Sequence, residues 1–193
     1  MQRKRGTSEA RQRILETADR LFYQEGTRAV GIDRIIAEAG VAKMSLYNHF
    51  PSKDDLILAA LKYREGGVLE FFRSSMARHA KKAKNPLQAF FAALKDFFES
   101  PDFRGCPFQN AAVELADPSH PGSEFVRGHK QRFSEFLRGL VEETVGKAGS
   151  KFAPVVSVLV EGAIVTAVIQ GNADAADMAC DAALKLTSPR KGA

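Results

Sequence analysis

The feature that most limits the fold lies at residues 32–50, where two short apolar-periodic stretches meet at Gly40-Val41. Ile32 to Ala39 and Ala42 to Phe50 each read as a helix, and the residues between them leave room only for a tight turn. Gly40 supplies the left-handed backbone position that such a turn needs, and Val41 plugs the joint. Leu46 and Phe50 stand at i and i+4, so they share a buried face. A helical step of about 100° per residue then turns Met44, Ser45 and Asn48 outward. Tyr47 and His49 fall on the flanks, and Lys43 lies near the N-terminal end. Short side chains toward base edges, with donors on either side for phosphates, are what a groove-reading helix needs. The helix N-terminus adds its amides and partial positive charge.

Helical periodicity continues through the rest of the chain. Ile14, Ala18, Leu21 and Phe22 form one apolar stripe on a helix that Gly26 ends. Pro51 stops the groove-reading helix, and Ser52 with Asp55 forms a capping box for the next. That fourth helix carries Leu56, Ile57, Ala60 and Leu61 before meeting Gly66-Gly67. Each glycine weakens a helix by roughly 1 kcal/mol, which predicts a kink or break there. Arg73 to Lys84 holds five basic residues from Arg78 onward and no acid, and reads as a solvated, frayed end. Further helices are expected over Asn85–Ser100, Pro107–Ala116, Ser123–Val145, Pro154–Gly171 and Asp174–Leu186. No strand alternation, internal repeat or low-complexity tract is present, so the class is all-α.

The run Gly26-Thr27, Gly40-Val41-Ala42-Lys43, Leu46-Tyr47-Asn48-His49-Phe50 and Ser52-Lys53-Asp54-Asp55-Leu56 resembles the TetR/AcrR signature. That signature is a helix-turn-helix closing in Tyr-x-x-Phe, with a Lys opening the fourth helix. The resemblance covers about the first sixty residues. It implies that Lys43, Ser45 and Asn48 help read the major groove and that Tyr47, His49 and Lys53 hold phosphates. Met44 belongs to the same face. The chain departs from the usual pattern at Ile36, where helix-turn-helix proteins commonly have Ala, and at Gly31, where a polar residue usually opens the second helix. Beyond the motif the resemblance is one of architecture. It implies a DNA-binding domain over residues 1–52 and a larger helical domain over residues 53–193 that binds a small-molecule effector and forms a homodimer.

The C-terminal half fits those roles. Val155 to Ile169 is apolar on nearly every side, as expected of a helix buried in a core or at an interface. Gly162, Ala163, Ala167 and Gly171 allow close approach, and an alanine-rich last helix follows. Two helices contributed to a four-helix dimer bundle is the economical reading, with burial inside one subunit as the alternative. Val158, Gly162, Val165 and Ile169 are the expected interface positions. The Phe-rich middle exceeds what helix crossings need, so some rings are expected to line an apolar pocket with a few polar groups. Phe72, Phe91, Phe98, Phe108, Phe133 and Asn110 are the candidates, with Gln109 and Glu114 as further polar groups.

Composition bounds what else the chain could be. A net charge of +5 is modest over 193 residues, but Arg3, Lys4, Arg5, Arg11 and Arg13 crowd the N-terminus, where they could touch DNA. Cys106 and Cys180 are too few for a disulfide framework, which suits a reducing compartment. No apolar segment follows the basic start to make a secretory signal. The apolar run from Val155 to Ile169 is expected to be too short for a membrane span and includes Glu161. A cytoplasmic protein without membrane contact follows. His120 and His129, near Asp117 and Glu124, match no metal-ligand spacing, and no cofactor is expected. There is no Gly-x-Ser-x-Gly, His-Glu-x-x-His, phosphate-binding glycine loop or Cys-x-x-Cys, which disfavours an enzyme. The alternative function is a small-molecule carrier of the same fold that does not bind DNA. The intact set Lys43, Tyr47, His49 and Lys53 argues against it.

Overall fold

The structure is a computed structural model. It describes residues 2–187, with side chains from Glu9 onward, so the side chains of Arg3, Lys4 and Arg5 lie outside the described residues. The helices are α1 (Gln2–Glu25), α2 (Ile32–Ala39), α3 (Lys43–His49), α4 (Lys53–His79), α5 (Pro86–Phe98), α6 (Pro107–Leu115), α7 (Pro121–Val145), α8 (Ala153–Gln170) and α9 (Asp174–Thr187). A 3-10 helix, Lys147–Phe152, leads into α8. The described residues contain no strand.

Packing gathers the chain into two compact units. One holds the residues up to Gly67 together with Cys106–Gly128, and the other holds Val68–Gly105 with the residues from His129 onward. These limits differ from a division at residue 52, because the start of α4, all of α6 and the start of α7 belong with the N-terminal helices.

In the first unit α1 is the backbone of the core. Its stripe Ile14, Ala18 and Leu21 is fully buried, and α2 and α3 both pack on α1. Ile35, Leu46, Phe50, Leu56, Ile57 and Phe108 complete the interior. Each such side chain contributes about 1.5–3 kcal/mol on burial, so this small unit has enough apolar surface to hold α3 in place. The second unit is built on α9, which packs on both α5 and α8. The buried face of α9 is Ala175, Ala176, Ala179 and Ala183, small enough for two larger helices to approach. Leu87, Phe90, Phe91 and Leu94 of α5 and Val156, Val160 and Ile164 of α8 fill the layer. Lys130 of α7 donates to Glu161 of α8 at 2.6 Å.

Three expectations are corrected. The Gly66-Gly67 pair does not break the helix, since α4 runs unbroken from Lys53 to His79. Two glycines subtract only a modest penalty, and this helix is anchored on both sides, by Leu56, Ile57 and Ala60 before them and Ser75 after them. The segment from Arg73 to His79 is not frayed either, whereas from Ala80 the chain leaves the helix and Lys81, Lys82 and Lys84 are exposed, as expected. Ser75 is fully buried and donates to Asp96 at 2.5 Å, while Arg78 and His79 reach the same carboxylate oxygen at 3.0 and 2.8 Å. An acid contributed by α5 supplies the charge that the basic stretch lacks. The third correction concerns length: Lys147–Gln170 is long and apolar enough to cross a membrane by length and composition, because helical structure begins before the apolar run and outlasts it.

Candidate nucleic-acid interface

The turn between α2 and α3 is made as its sequence demands. Gly40 lies at φ 62°, ψ 45°, and its N–H donates to Ala37 at 3.3 Å while the Val41 N–H donates to Ile36 at 3.2 Å. Those two bonds close the end of α2. At its start Gly31 offers no side-chain cap. Leu46 and Phe50 are buried, which fixes the orientation of α3 about its axis. Met44 is 70% exposed, Lys43, Tyr47 and Asn48 are exposed, and Ser45 and His49 are half-buried. The outward face therefore carries Lys43, Met44, Tyr47 and Asn48, with Ser45 and His49 at its margins.

His49 is turned further inward than expected. Its Nε2 is buried without a hydrogen-bond partner, and its ring meets Phe50 edge-on at 6.4 Å. Lys43 lies 3.3 Å from Asp33 in a solvent-exposed pair of little energetic weight. Lys53 opens α4, where burial lowers its pKa against the opposing pull of Asp54. Ser52 and Asp55 form the expected box: the Ser52 N–H donates to Asp55 at 3.1 Å and the Asp55 N–H to Ser52 Oγ at 3.0 Å.

Other supports were not visible in the sequence pattern. Arg11 of α1 lies over the Phe50 ring at 5.2 Å, a cation–π contact at the end of α3. Arg34 of α2 binds Glu25 of α1 through both terminal nitrogens, and Glu38 receives Arg20 at 2.6 Å and Arg34 at 2.9 Å. Those hydrogen bonds, first from Arg20 and then from Arg34, hold Glu38 below the ordinary carboxylate range. Sequence periodicity finds buried stripes and is blind to charged pairs made between helices.

A small cavity lies in the same unit, among Asp19, Tyr23, Thr27, Arg64, Asn110 and Glu114 over an apolar floor. It encloses about 30 Å³, room for a water or two rather than an organic effector. Arg64 donates to Asp19 at 2.7 Å and lies over the Tyr23 ring at 4.4 Å. Burial pushes the Asp19 carboxyl up despite Arg64.

Of the six candidate ligand residues only Asn110 lines that cavity. In the second unit Phe72, Phe91 and Phe133 surround Phe90 at centroid distances of 5.7, 5.5 and 6.1 Å. Phe98 lies tilted against Phe103 at 5.0 Å, at the far end of a run of rings that reaches Phe72 through Phe97. Phe108 is buried in the first unit, with Phe125 at 6.5 Å. The six do not converge. The histidines also have separate surroundings: His120 faces Asp54, and His129 stacks on Phe133. On α8 the four candidate interface positions share one outer face: Val158 is 71%, Val165 47% and Ile169 77% exposed, and Gly162 is exposed between them.

Two family models match this chain. One, for bacterial regulatory proteins of the tetR family, covers residues 14–60. The other, described as tetracyclin repressor-like, C-terminal domain, covers residues 83–183. A solved TetR-family transcriptional regulator from Streptomyces coelicolor is 34% identical, over 93% of this chain and 95% of that one, with a TM-score of 0.81. The HTH-type transcriptional regulator LmrA of Bacillus subtilis is 29% identical over 85% of this chain and 89% of its own length. The HTH-type transcriptional repressor DhaR of a Mycobacterium species is 30% identical, over 75% and 72% respectively.

Proposed function

This chain belongs to the TetR family of DNA-binding transcriptional regulators, and from that premise we propose that it is a repressor which a small, partly apolar effector releases from its operator. The observation that carries the DNA half of this reading is the face of α3. Leu46 and Phe50 turn Met44, Tyr47 and Asn48 to solvent, and Lys43 and Lys53 flank them. Lys43, Ser45 and Asn48, with Met44 on the same face, meet base edges, while Tyr47, His49 and Lys53 meet phosphates. Repression is favoured by the similarity to DhaR, a transcriptional repressor by name. DNA reading is assigned to residues 1–52, with Lys53 at the start of α4 adding a phosphate contact, and effector binding and pairing to the domain of residues 53–193. The protein works in the cytoplasm, without membrane, metal or cofactor.

Two copies pair through α8 and α9. Support comes from the exposed apolar row Val158, Val165 and Ile169 with Gly162 between, and from exposed Met178 on α9. An apolar face of this kind on a helix that also makes the Lys130–Glu161 ion pair fits a protein partner better than lipid. The effector is assigned to the Phe-rich second unit, where Phe72, Phe91 and Phe133 gather around Phe90.

The test is a mobility shift on DNA from upstream of the gene, with and without candidate apolar compounds. Binding that weakens with salt, and that one compound class abolishes, is the expected result. A protein that binds compounds but no DNA would establish the carrier reading instead.

A further inference from the structure

Helix α6 is joined to the DNA-reading helices by a carboxylate as well as by apolar packing. Glu114 Oε2 accepts from both the backbone N–H and the hydroxyl of Thr27, the hydroxyl at 2.8 Å, across 87 residues of sequence. Thr27 is buried in the connection from α1 into α2. Gly26, just before it, lies at φ +96°, and a Cβ there would stand 2.9 Å from Glu114 Oε1. The glycine thus meets two demands at once, the left-handed backbone and the seat of the carboxylate.

The loop after α6 is tied in turn. His120 Nδ1 accepts from the Gly122 N–H at 2.9 Å, which leaves Nε2 to carry the proton, 3.3 Å from Asp54 Oδ1 in the first turn of α4. The two ties fall beside the two places where DNA-facing residues are mounted: the α1–α2 connection, which leads to α3, and the start of α4 with Lys53.

We infer that Glu114 is a positioning residue for operator binding: its carboxylate holds the α1–α2 turn, and with it α3, in the geometry that fits DNA. The inference rests on α3 as the reading helix.

The experiment uses the full chain and a DNA sequence that the wild type enriches from a random pool. Glu114→Ala, Glu114→Gln and Thr27→Val are compared for operator affinity well below their melting temperatures, with hydrogen exchange at the Thr27 amide. Gln keeps an acceptor oxygen for both Thr27 donors. Glu114→Ala should bind about tenfold more weakly, within the usual range for coupled sites, and lose Thr27 amide protection. Glu114→Gln should keep the protection and stay within about threefold of the wild type, as expected when the hydrogen bonds survive without the charge. If Glu114→Ala does not fold, Thr27→Val, which deletes only the hydroxyl bond, should still weaken binding while remaining folded. A folded Glu114→Ala or Thr27→Val with unchanged affinity would overturn the inference, as would Glu114→Gln as weak as Glu114→Ala. A wild type that enriches no DNA would overturn the reading of α3 and this inference with it.

Discussion

Asn48 and Lys53 both belong to the outward corner formed by α3 and the start of α4, yet replacing them has different expected consequences. Asn48 stands on the exposed face with Met44, so Asn48→Ala should change which bases are preferred, at about 1–3 kcal/mol for a good base contact. Lys53→Ala should weaken all sequences alike and flatten the salt dependence by about one unit. Binding to a set of operator variants at two salt concentrations separates the two. Reversed behaviour would mean that α3 is rotated from its described orientation. Asp96 offers a test away from DNA. Burial alone would raise its pKa, but the hydrogen bonds from Ser75 and His79 outweigh it and hold the carboxyl below its ordinary value of 3.8. A depressed acid stabilises the fold above its unfolded pKa, and that contribution is lost as pH falls through the lower, folded value. Asp96→Asn should therefore be least stable relative to the wild type above the ordinary carboxylate range, with the difference closing in acid. Denaturant midpoints across pH check this. At this scale local contacts were legible in the sequence: Gly40, Leu46 with Phe50, and Ser52 with Asp55 all act within a few residues. The Thr27–Glu114 bond and the three donors on Asp96 were not, because their partners are set by tertiary packing.

Helix α4 shows how a correct local penalty can give a wrong element. Gly66 and Gly67 weaken a helix, but their helical backbone requires no glycine, and a Cβ at either would meet nothing within 4 Å. Gly66→Ala with Gly67→Ala should therefore raise stability, by up to roughly 1 kcal/mol for each site. A lowered denaturant midpoint would show that the chain uses a break there after all. Helix α2 was legible from its period and its closing glycine, and α7 and α8 to within two residues, although Pro121 opens α7 rather than closing the loop before it. The Phe-rich helices were legible as buried but not as a pocket. A periodic pattern says that Phe90, Phe98 and Phe108 face inward, and it cannot say that Phe90 and Phe98 lie at different places in one run of rings while Phe108 packs with Phe125 elsewhere.

At the scale of the whole molecule, two copies are expected to bind the operator together. A lone chain leaves Val158, Val165 and Ile169 in water on one face of α8, whereas pairing would remove that surface at a gain of about 25 cal/mol per Å². Val165→Arg should sediment as a monomer and lose tight operator binding, since each half-site contact would act alone. A wild type that sediments as a monomer at micromolar concentration would contradict the pairing. The all-α class and the family were legible because the helix-turn-helix carries its own punctuation. The assignment of α6 to the DNA-reading unit was not, since Pro107 to Leu115 is only one more amphipathic helix in sequence. The most direct measurement is selection of random double-stranded DNA by the full-length protein, with the enriched sites and the stoichiometry of the complex read together. The expected result is an inverted repeat whose half-sites are centred about one helical turn, or a multiple of it, apart, bound by paired chains through α3. Enrichment of no sequence, or of an unrepeated site bound by a single chain, would contradict it.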